Sequence, residues 1–202
     1  EEIKNKGYEV FVQPMVTMCY SDVEFNRLIE GVNGFNPTAL YIVDSFGMMK
    51  QMDILHYARL SKEMNPGIMI GFHSHNNMQL AFANSQCFSE LELARCIVID
   101  VAIHGMGRGA GNLNAELFLD YLNSIIDEKY NIKALLNVMD EVISGFFEKK
   151  PWGYSLPNYL SAVYMSHPNY AYYLSNKRTL TLEAMDEIFG LINPNKRYEY
   201  DE

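Results

Sequence analysis

Ile68-Met69-Ile70-Gly71-Phe72-His73-Ser74-His75-Asn76-Asn77 decides how this chain folds. Residues 68–72 form a continuous apolar run of strand length, without alternation of apolar and polar positions. Such a run marks a strand buried on both faces, as in a parallel sheet covered by helices. Two histidines stand at its end. Residues i and i+2 of an extended segment point the same way. His73 and His75 therefore share a direction, and two neutral imidazoles can bind one divalent metal ion. Taken alone, H-x-H more often describes two histidines bonded to loop carbonyls.

The same rhythm repeats on either side. Residues 8–16 are rich in Val, Phe and Tyr and read as a buried strand. Ser21-Asp22-Val23-Glu24 has the spacing of a capping box, and Val23, Leu28, Ile29 and Val32 follow at helical period. Gly34, Asn36 and Pro37 break the chain before a short apolar strand over residues 39–43. Residues 48–64 read as a helix ended by Asn65-Pro66-Gly67. Leu80, Ala83, Cys87 and Leu91 mark the next helix, residues 96–102 a fourth strand, and Leu113, Leu117, Tyr121 and Ile125 a further helix. Strands alternating with helices about every 30 residues define βα units and an α/β fold with a parallel sheet. From residue 130 onward the pattern is helical. Residues 132–147 read as one helix carrying Leu135, Met139, Val142 and Phe146. Another starts at Leu156-Pro157, and Leu182, Met185, Phe189 and Ile192 mark the last. Two domains are expected: 1–130, a partial barrel, and 131–202, a helical extension.

Composition narrows the partners. With 202 residues, 49% hydrophobic and 20% charged, the chain is an ordinary folded protein. Its net charge of -9 argues against a nucleic-acid partner. No apolar run long enough to span a membrane is present, and the first residues do not read as a leader. The three cysteines, Cys19, Cys87 and Cys96, are odd in number and lack C-x-x-C spacing, which fits a reducing cytoplasm.

Two more segments carry candidate chemistry. In residues 100–112, four glycines fall within seven positions between a strand and a helix: Gly105, Gly107, Gly109 and Gly111. Such a loop can bring backbone N–H groups to an anion at a helix N-terminus, or it can be a flexible crossover turn. Asn112 is either the helix cap or an oxygen ligand facing a metal. Its spacing is neither a dinucleotide fingerprint nor a Walker loop. Val43-Asp44-Ser45-Phe46-Gly47 stands at another strand end, where Asp44 either orients a ligand or, with Ser45, caps a helix. His104 can face a ligand or solvent, His56 reads as solvated and His167 as structural. Tyr154, Tyr159 and Tyr164 read as packing residues, one of which could act as a general acid.

Together, Asp44-Ser45-x-Gly47, His73-x-His75-x-Asn77 with Ala83-Asn84-Ser85, and Gly105-Met106-Gly107-x-Gly109-Ala110-Gly111-Asn112 with Glu116 resemble the pyruvate-aldolase branch of the HMG-CoA lyase-like metal barrels. The resemblance covers residues 43–116. It implies a (β/α)8 TIM barrel whose strands 5–8 lie here, the C-terminal half, followed by a helical extension. A complete barrel needs about 250 residues. It further implies carbon–carbon cleavage of a small 2-oxo acid aided by Mn²⁺ or Mg²⁺. His73, His75 and Asn112 would be metal ligands, and Asp44, Ser45, Gly105, Gly107 and Arg108 would bind substrate. The family's first-strand motif, an Asp ligand beside an Arg, does not occur in these residues, and Arg108 replaces a small residue. The chain is therefore expected to be an inactive fragment of an active parent, completed by a missing half-barrel or by a second copy in a homodimer. Other readings are a Claisen-type acyl-CoA enzyme of the same barrel and a non-catalytic barrel relative used for binding or assembly.

Overall fold

The computed structural model describes residues 2–127 and 129–201. A short helix α1 (Glu2–Asn5) precedes β1 (Phe11–Val12), α2 (Asp22–Phe35), β2 (Ala39–Asp44), α3 (Gln51–Leu60), β3 (Met69–Ser74), α4 (Ala81–Ser89) and β4 (Ile97–Ile99). The helices α5 (Ala115–Ile125), α6 (Ile132–Val138), α7 (Ser144–Lys149), α8 (Leu156–Val163), α9 (Pro168–Asn176) and α10 (Leu182–Leu191) follow. Contacts divide the chain into two compact units. One comprises Glu1–Ser45, Met49–Ser74 and Ala83–Asp100; the other comprises Phe46–Met48, His75–Phe82 and Val101–Glu202.

The first unit holds a parallel sheet in the order β1-β2-β3-β4. β2 and β3 pair along their full length, from Ala39 opposite Met69 to Asp44 opposite Ser74. Because strand side chains alternate, Leu40, Ile42, Ile70 and Phe72 share one face. They form a buried core with Phe25, Ile29 and Val32 of α2, Ile54 and Tyr57 of α3, and Phe88 of α4. Ala39, Tyr41 and Val43 are buried on the other face. This two-sided burial is why β2 and β3 read as unbroken apolar runs. Ser21 caps α2 in a full capping box with Glu24. Arg95, ahead of β4, donates to the carbonyls of Met64 and Ile68 at 3.1 Å each, pinning the turn that enters β3.

Several elements differ from the sequence expectation. The strand expected over 8–16 shortens to two residues. Pro14 has no N–H for the ladder, and Val16 takes a left-handed conformation with φ 55°. The Val16 N–H donates instead to Ser45 Oγ (2.7 Å), and the Val43 N–H donates to Thr17 Oγ1 (2.9 Å), so side chains replace the lost pairing. The fourth strand shortens to three residues.

In the second unit, the helix expected over 132–147 is interrupted by a π-helical turn, Met139–Ile143. A π turn adds a residue and rotates the helix face. Ile143 is therefore buried, whereas Val142 and Phe146, expected inward, are exposed. On α5 the buried positions are Ala115 and Phe118, while Leu117 and Ile125 face out. Phe118 packs edge-on to Phe82 with ring centroids 6.4 Å apart. Helix α9 had no apolar stripe to announce it. His167 caps it by accepting from the Asn169 N–H (3.2 Å), with Pro168 in the first turn. Leu160, Ala171, Leu174, Met185 and Phe189 form the core of α8–α10. Among the described residues, no helix is long and apolar enough to cross a membrane.

Phe72 lies in the middle of the first core, its ring 5.3 Å from that of Phe88. Phe72→Ala is expected to cost about 3–5 kcal/mol through lost burial and the cavity left behind. Val23→Ala, on the exposed face of α2, should stay within about 0.5 kcal/mol. Urea unfolding of the two variants tests this contrast.

Candidate metal centre

His73, the fifth residue of β3, is fixed by a carboxylate. Its Nδ1 lies 2.9 Å from Asp100 Oδ2, one residue past β4. Beside a carboxylate, which can only accept, Nδ1 is the donor. A neutral imidazole that donates from Nδ1 presents its lone pair at Nε2, the arrangement by which carboxylates orient metal-binding histidines. Asp100 also accepts from Tyr41 Oη (3.0 Å, from β2) and Gln13 Nε2 (3.0 Å, after β1). One carboxylate thus gathers donors from the other three strands. Burial pushes the Asp100 carboxyl up. Hydrogen bonds from His73 and Tyr41, the His73 charge and the Gln13 bond outweigh it, and the net shift is downward. Burial and the Asp100 charge together raise the Tyr41 hydroxyl well above its ordinary range, so it remains a donor. Gly71 is what lets Tyr41 lie flat here. A Cβ at Gly71 would come within 2.5 Å of the Tyr41 ring.

In the second unit, His75 and Asn112 are neighbours. They form an antiparallel β-bridge, and the Asn76 N–H donates to the Gly111 carbonyl (2.9 Å). The Asn112 side chain is held from its nitrogen side, Nδ2 donating to the Met106 carbonyl (2.9 Å). Its Oδ1 is buried without a hydrogen-bond partner among the described residues. A buried acceptor left unsatisfied costs about 1–3 kcal/mol. Gly107 makes room for this amide. A Cβ there would fall 2.6 Å from Asn112 Nδ2. Asn112 is not the helix cap, because Asn114 occupies the N-cap position of α5.

Four N–H groups of the glycine loop are used within the loop. The N–H groups of Gly105, Met106, Gly111 and Asn112 donate to Ala102, Ile103, Arg108 and Gly105 carbonyls. Arg108 is exposed on the loop. His104 takes φ 53°, and its ring packs edge-on against Phe147 (4.9 Å) and Trp152 (6.0 Å) while its side chain stays 40% exposed. Its N–H donates to Glu116 Oε2 at 2.9 Å.

Asp44 is 1% exposed and accepts from the Met49 N–H at 3.1 Å, closing the turn after β2. Neither Asp44 nor Ser45 caps α3. Lys50 is its N-cap residue, and Asp53 accepts the Lys50 N–H at 2.8 Å. Gly47, at φ 63°, passes so close to His75 and Asn77 that a Cβ would meet Asn77 N at 2.6 Å. Asn77 is buried, donating to the Asn158 carbonyl (3.1 Å) and Ser161 Oγ (3.3 Å). His56 is exposed, as expected, and pairs with Asp22 at 2.8 Å. Tyr164 donates to Asp186 at 2.9 Å and stacks on Phe189, while Tyr154 and Tyr159 are exposed. Among the described residues, no group of three His, Cys, Asp or Glu side chains stands ready to hold a metal ion.

Residues 1–142 match the HMGL-like family. The chain belongs to the HMGL-like family. Its curated relatives include the 4-hydroxy-2-oxovalerate aldolases of Shewanella halifaxensis, 29% identical over 120 residues (58% of this chain, 34% of that protein), and Geobacillus stearothermophilus, 30% identical over 123 residues (60% and 34%). This HMGL-like chain thus spans about a third of the length of the relatives it matches. A crystal structure of the N-terminal domain of a candidate aldolase from Bacteroides vulgatus superposes with a TM-score of 0.75 and 28% identity, covering 92% of this chain and 60% of that one. HMGL-like membership and the parallel sheet agree on an α/β fold, and the curated relatives named here are aldolases.

Sequence reasoning singled out His73, His75 and Asn112 but missed Gln13, Tyr41 and Asp100 as partners. Gln13 and Asp100 follow the ends of β1 and β4 and Tyr41 lies inside β2, so the three meet only once the register aligns them. If Asp100 is the shared acceptor, Tyr41→Phe should cost about 1–3 kcal/mol as a lost bond to a charged group. Tyr41→Phe and Asp100→Ala combined should lose less than the sum, with a coupling on the order of 1 kcal/mol. Strict additivity in urea unfolding would contradict the shared-acceptor arrangement.

Proposed function

We propose that this chain carries part of the metal site of a divalent-metal-dependent aldolase or lyase that cleaves or forms a carbon–carbon bond of a small 2-oxo acid, as 4-hydroxy-2-oxovalerate aldolase does. The observation that carries the reading is the buried Asn112 Oδ1. It is an amide oxygen without a donor among the described residues, on a residue bridged to His75, two positions beyond the carboxylate-held His73. Two imidazoles and an amide oxygen suit a cation that accepts nitrogen and oxygen ligands, such as Mn²⁺ or Mg²⁺. His73, His75 and Asn112 would hold the ion. When bound, a divalent cation supplies the Lewis acidity that cleavage next to a carbonyl requires.

The chain's own residues do the positioning. Asp100 keeps the His73 proton on Nδ1, and Tyr41 and Gln13 hold Asp100 in place. Asp44 and Ser45 shape the turn after β2, while Gly105 and Gly107 shape the wall beside Asn112. The Gly105 N–H is already used, so its part is space rather than donation. Arg108 reaches outward to meet an anionic group. Residues 1–130 act as the barrel part and residues 131–202 as its helical extension, and the sheet here corresponds to strands 5–8. The first-strand ligand and base then come from a further segment of the protein or from a second copy. Three free thiols among the described residues accord with a reducing cytoplasm.

In the full-length protein, His73→Ala and His75→Ala are each expected to reduce Mn²⁺-dependent cleavage of 4-hydroxy-2-oxovalerate by more than about 100-fold, read as released pyruvate. Asp100→Asn should weaken Mn²⁺ binding by about 10–100-fold in calorimetry, as removal of a ligand's orienting partner does. Wild-type turnover in both histidine variants would overturn the assignment.

A further inference from the structure

The second unit contains a cavity of about 800 Å³ that shares only Gly107 and Arg108 with the residues of the aldolase reading. That volume lies within the range of small-molecule sites. The glycine loop, the turn 150–155, and helices α7, α8 and α9 supply its walls. Its chemistry runs against that of the chain. Acidic residues outnumber Lys and Arg by 25 to 16 overall, yet among the described residues the walls carry Arg108 and Lys150 and no Asp or Glu. Lys150 Nζ sits 4.9 Å above the Tyr172 ring. The Arg108 charge reaches His167, which burial, and after it Arg108, pushes below its ordinary range. Phe146 and Tyr172 line the cavity and are 59% and 56% exposed. Trp152 completes the aromatic lining. Its Nε1 is committed to the His104 carbonyl (2.8 Å), which fixes the indole in place.

We propose that this cavity binds a phosphate monoester bearing an aromatic ring, with Arg108 and Lys150 on the phosphate and Phe146, Trp152 and Tyr172 around the ring. Two cations match the charge of a phosphate dianion. Arg offers its guanidinium fork and Lys a point charge. Aromatic walls favour a flat apolar ring. Asn169 and Asn176 at the rim supply further donors and acceptors. The site lies wholly within the second unit and does not depend on a metal at His73 and His75.

Trp152 is the single tryptophan of the chain, so its fluorescence reports on this cavity directly. Titrations with phenyl phosphate and AMP, each set against phenol, adenosine and inorganic phosphate, test the proposal. Saturable change is expected with at least one of the two esters, at least about 10-fold tighter than with its ring alone or with phosphate alone, a factor that corresponds to about 1.4 kcal/mol. Arg108→Gln with Lys150→Gln should weaken that binding by about 10-fold or more while circular dichroism shows an unchanged fold. Arg59→Gln on α3 should leave it as it was. Absence of saturation by both esters, equal response to inorganic phosphate, or wild-type affinity in the double variant would overturn the proposal.

Discussion

The parallel pairing of β2 with β3 is the constraint on which the rest of this structure depends. Six residues in continuous register, Ala39 with Met69 to Asp44 with Ser74, determine which side chains share a face. Leu40, Ile42, Ile70 and Phe72 then point toward the helices, and Tyr41, Val43, Gly71 and His73 point the other way. A slip of one residue would exchange the two sets. It would bury His73 among phenylalanines and turn Phe72 toward the polar face. The hydrophobic contrast between the faces therefore secures both the core and the orientation of the metal-binding candidate.

Polar order is built on that frame. Tyr41 can approach β3 because residue 71 has no side chain, and its hydroxyl reaches Asp100 only from there. Asp100 collects Gln13, Tyr41 and His73, and hydrogen bonding outweighs the burial of its charge. In the second unit the principle is similar but the means differ. Gly107 and Gly111 let the loop fold back until Asn112 bridges His75, and the N–H groups of Gly105, Met106, Gly111 and Asn112 donate to carbonyls of the same segment. The Asn112 oxygen differs, buried and without a hydrogen-bond partner among the described residues. Buried polar atoms are almost always paired, which is why this one carries the proposed site.

The cavity beside Arg108 shows a second use of the same loop. Its outer side presents a cation while its inner side tightens around Asn112. The segment after residue 130 supplies Lys150, Trp152 and Tyr172 to the cavity lining, and with Arg108 it concentrates positive charge where the chain as a whole is acidic. Local charge of one sign within apolar walls focuses the field on a ligand.

The α/β rhythm, the capping box at Ser21 and the apolar strands read over 39–43 and 68–72 were legible in the sequence, within two residues of the observed bounds. Each rests on a short-range rule: period, cap chemistry or spacing along one strand. The misreadings have equally local causes. Pro14 and the left-handed Val16 cut the first strand short, a π turn rotated Val142 and Phe146 outward, and a helix without an apolar stripe, α9, gave no periodic signal. Only the tertiary structure decided that Asp44 closes a turn, that Asn112 bridges His75 instead of capping a helix, and that Gln13, Tyr41 and Asp100 meet around His73. Those partners lie 27 to 87 residues apart in the chain. Hydrogen bonds of that separation follow from strand register and close backbone approach, and no pattern along the sequence encodes either.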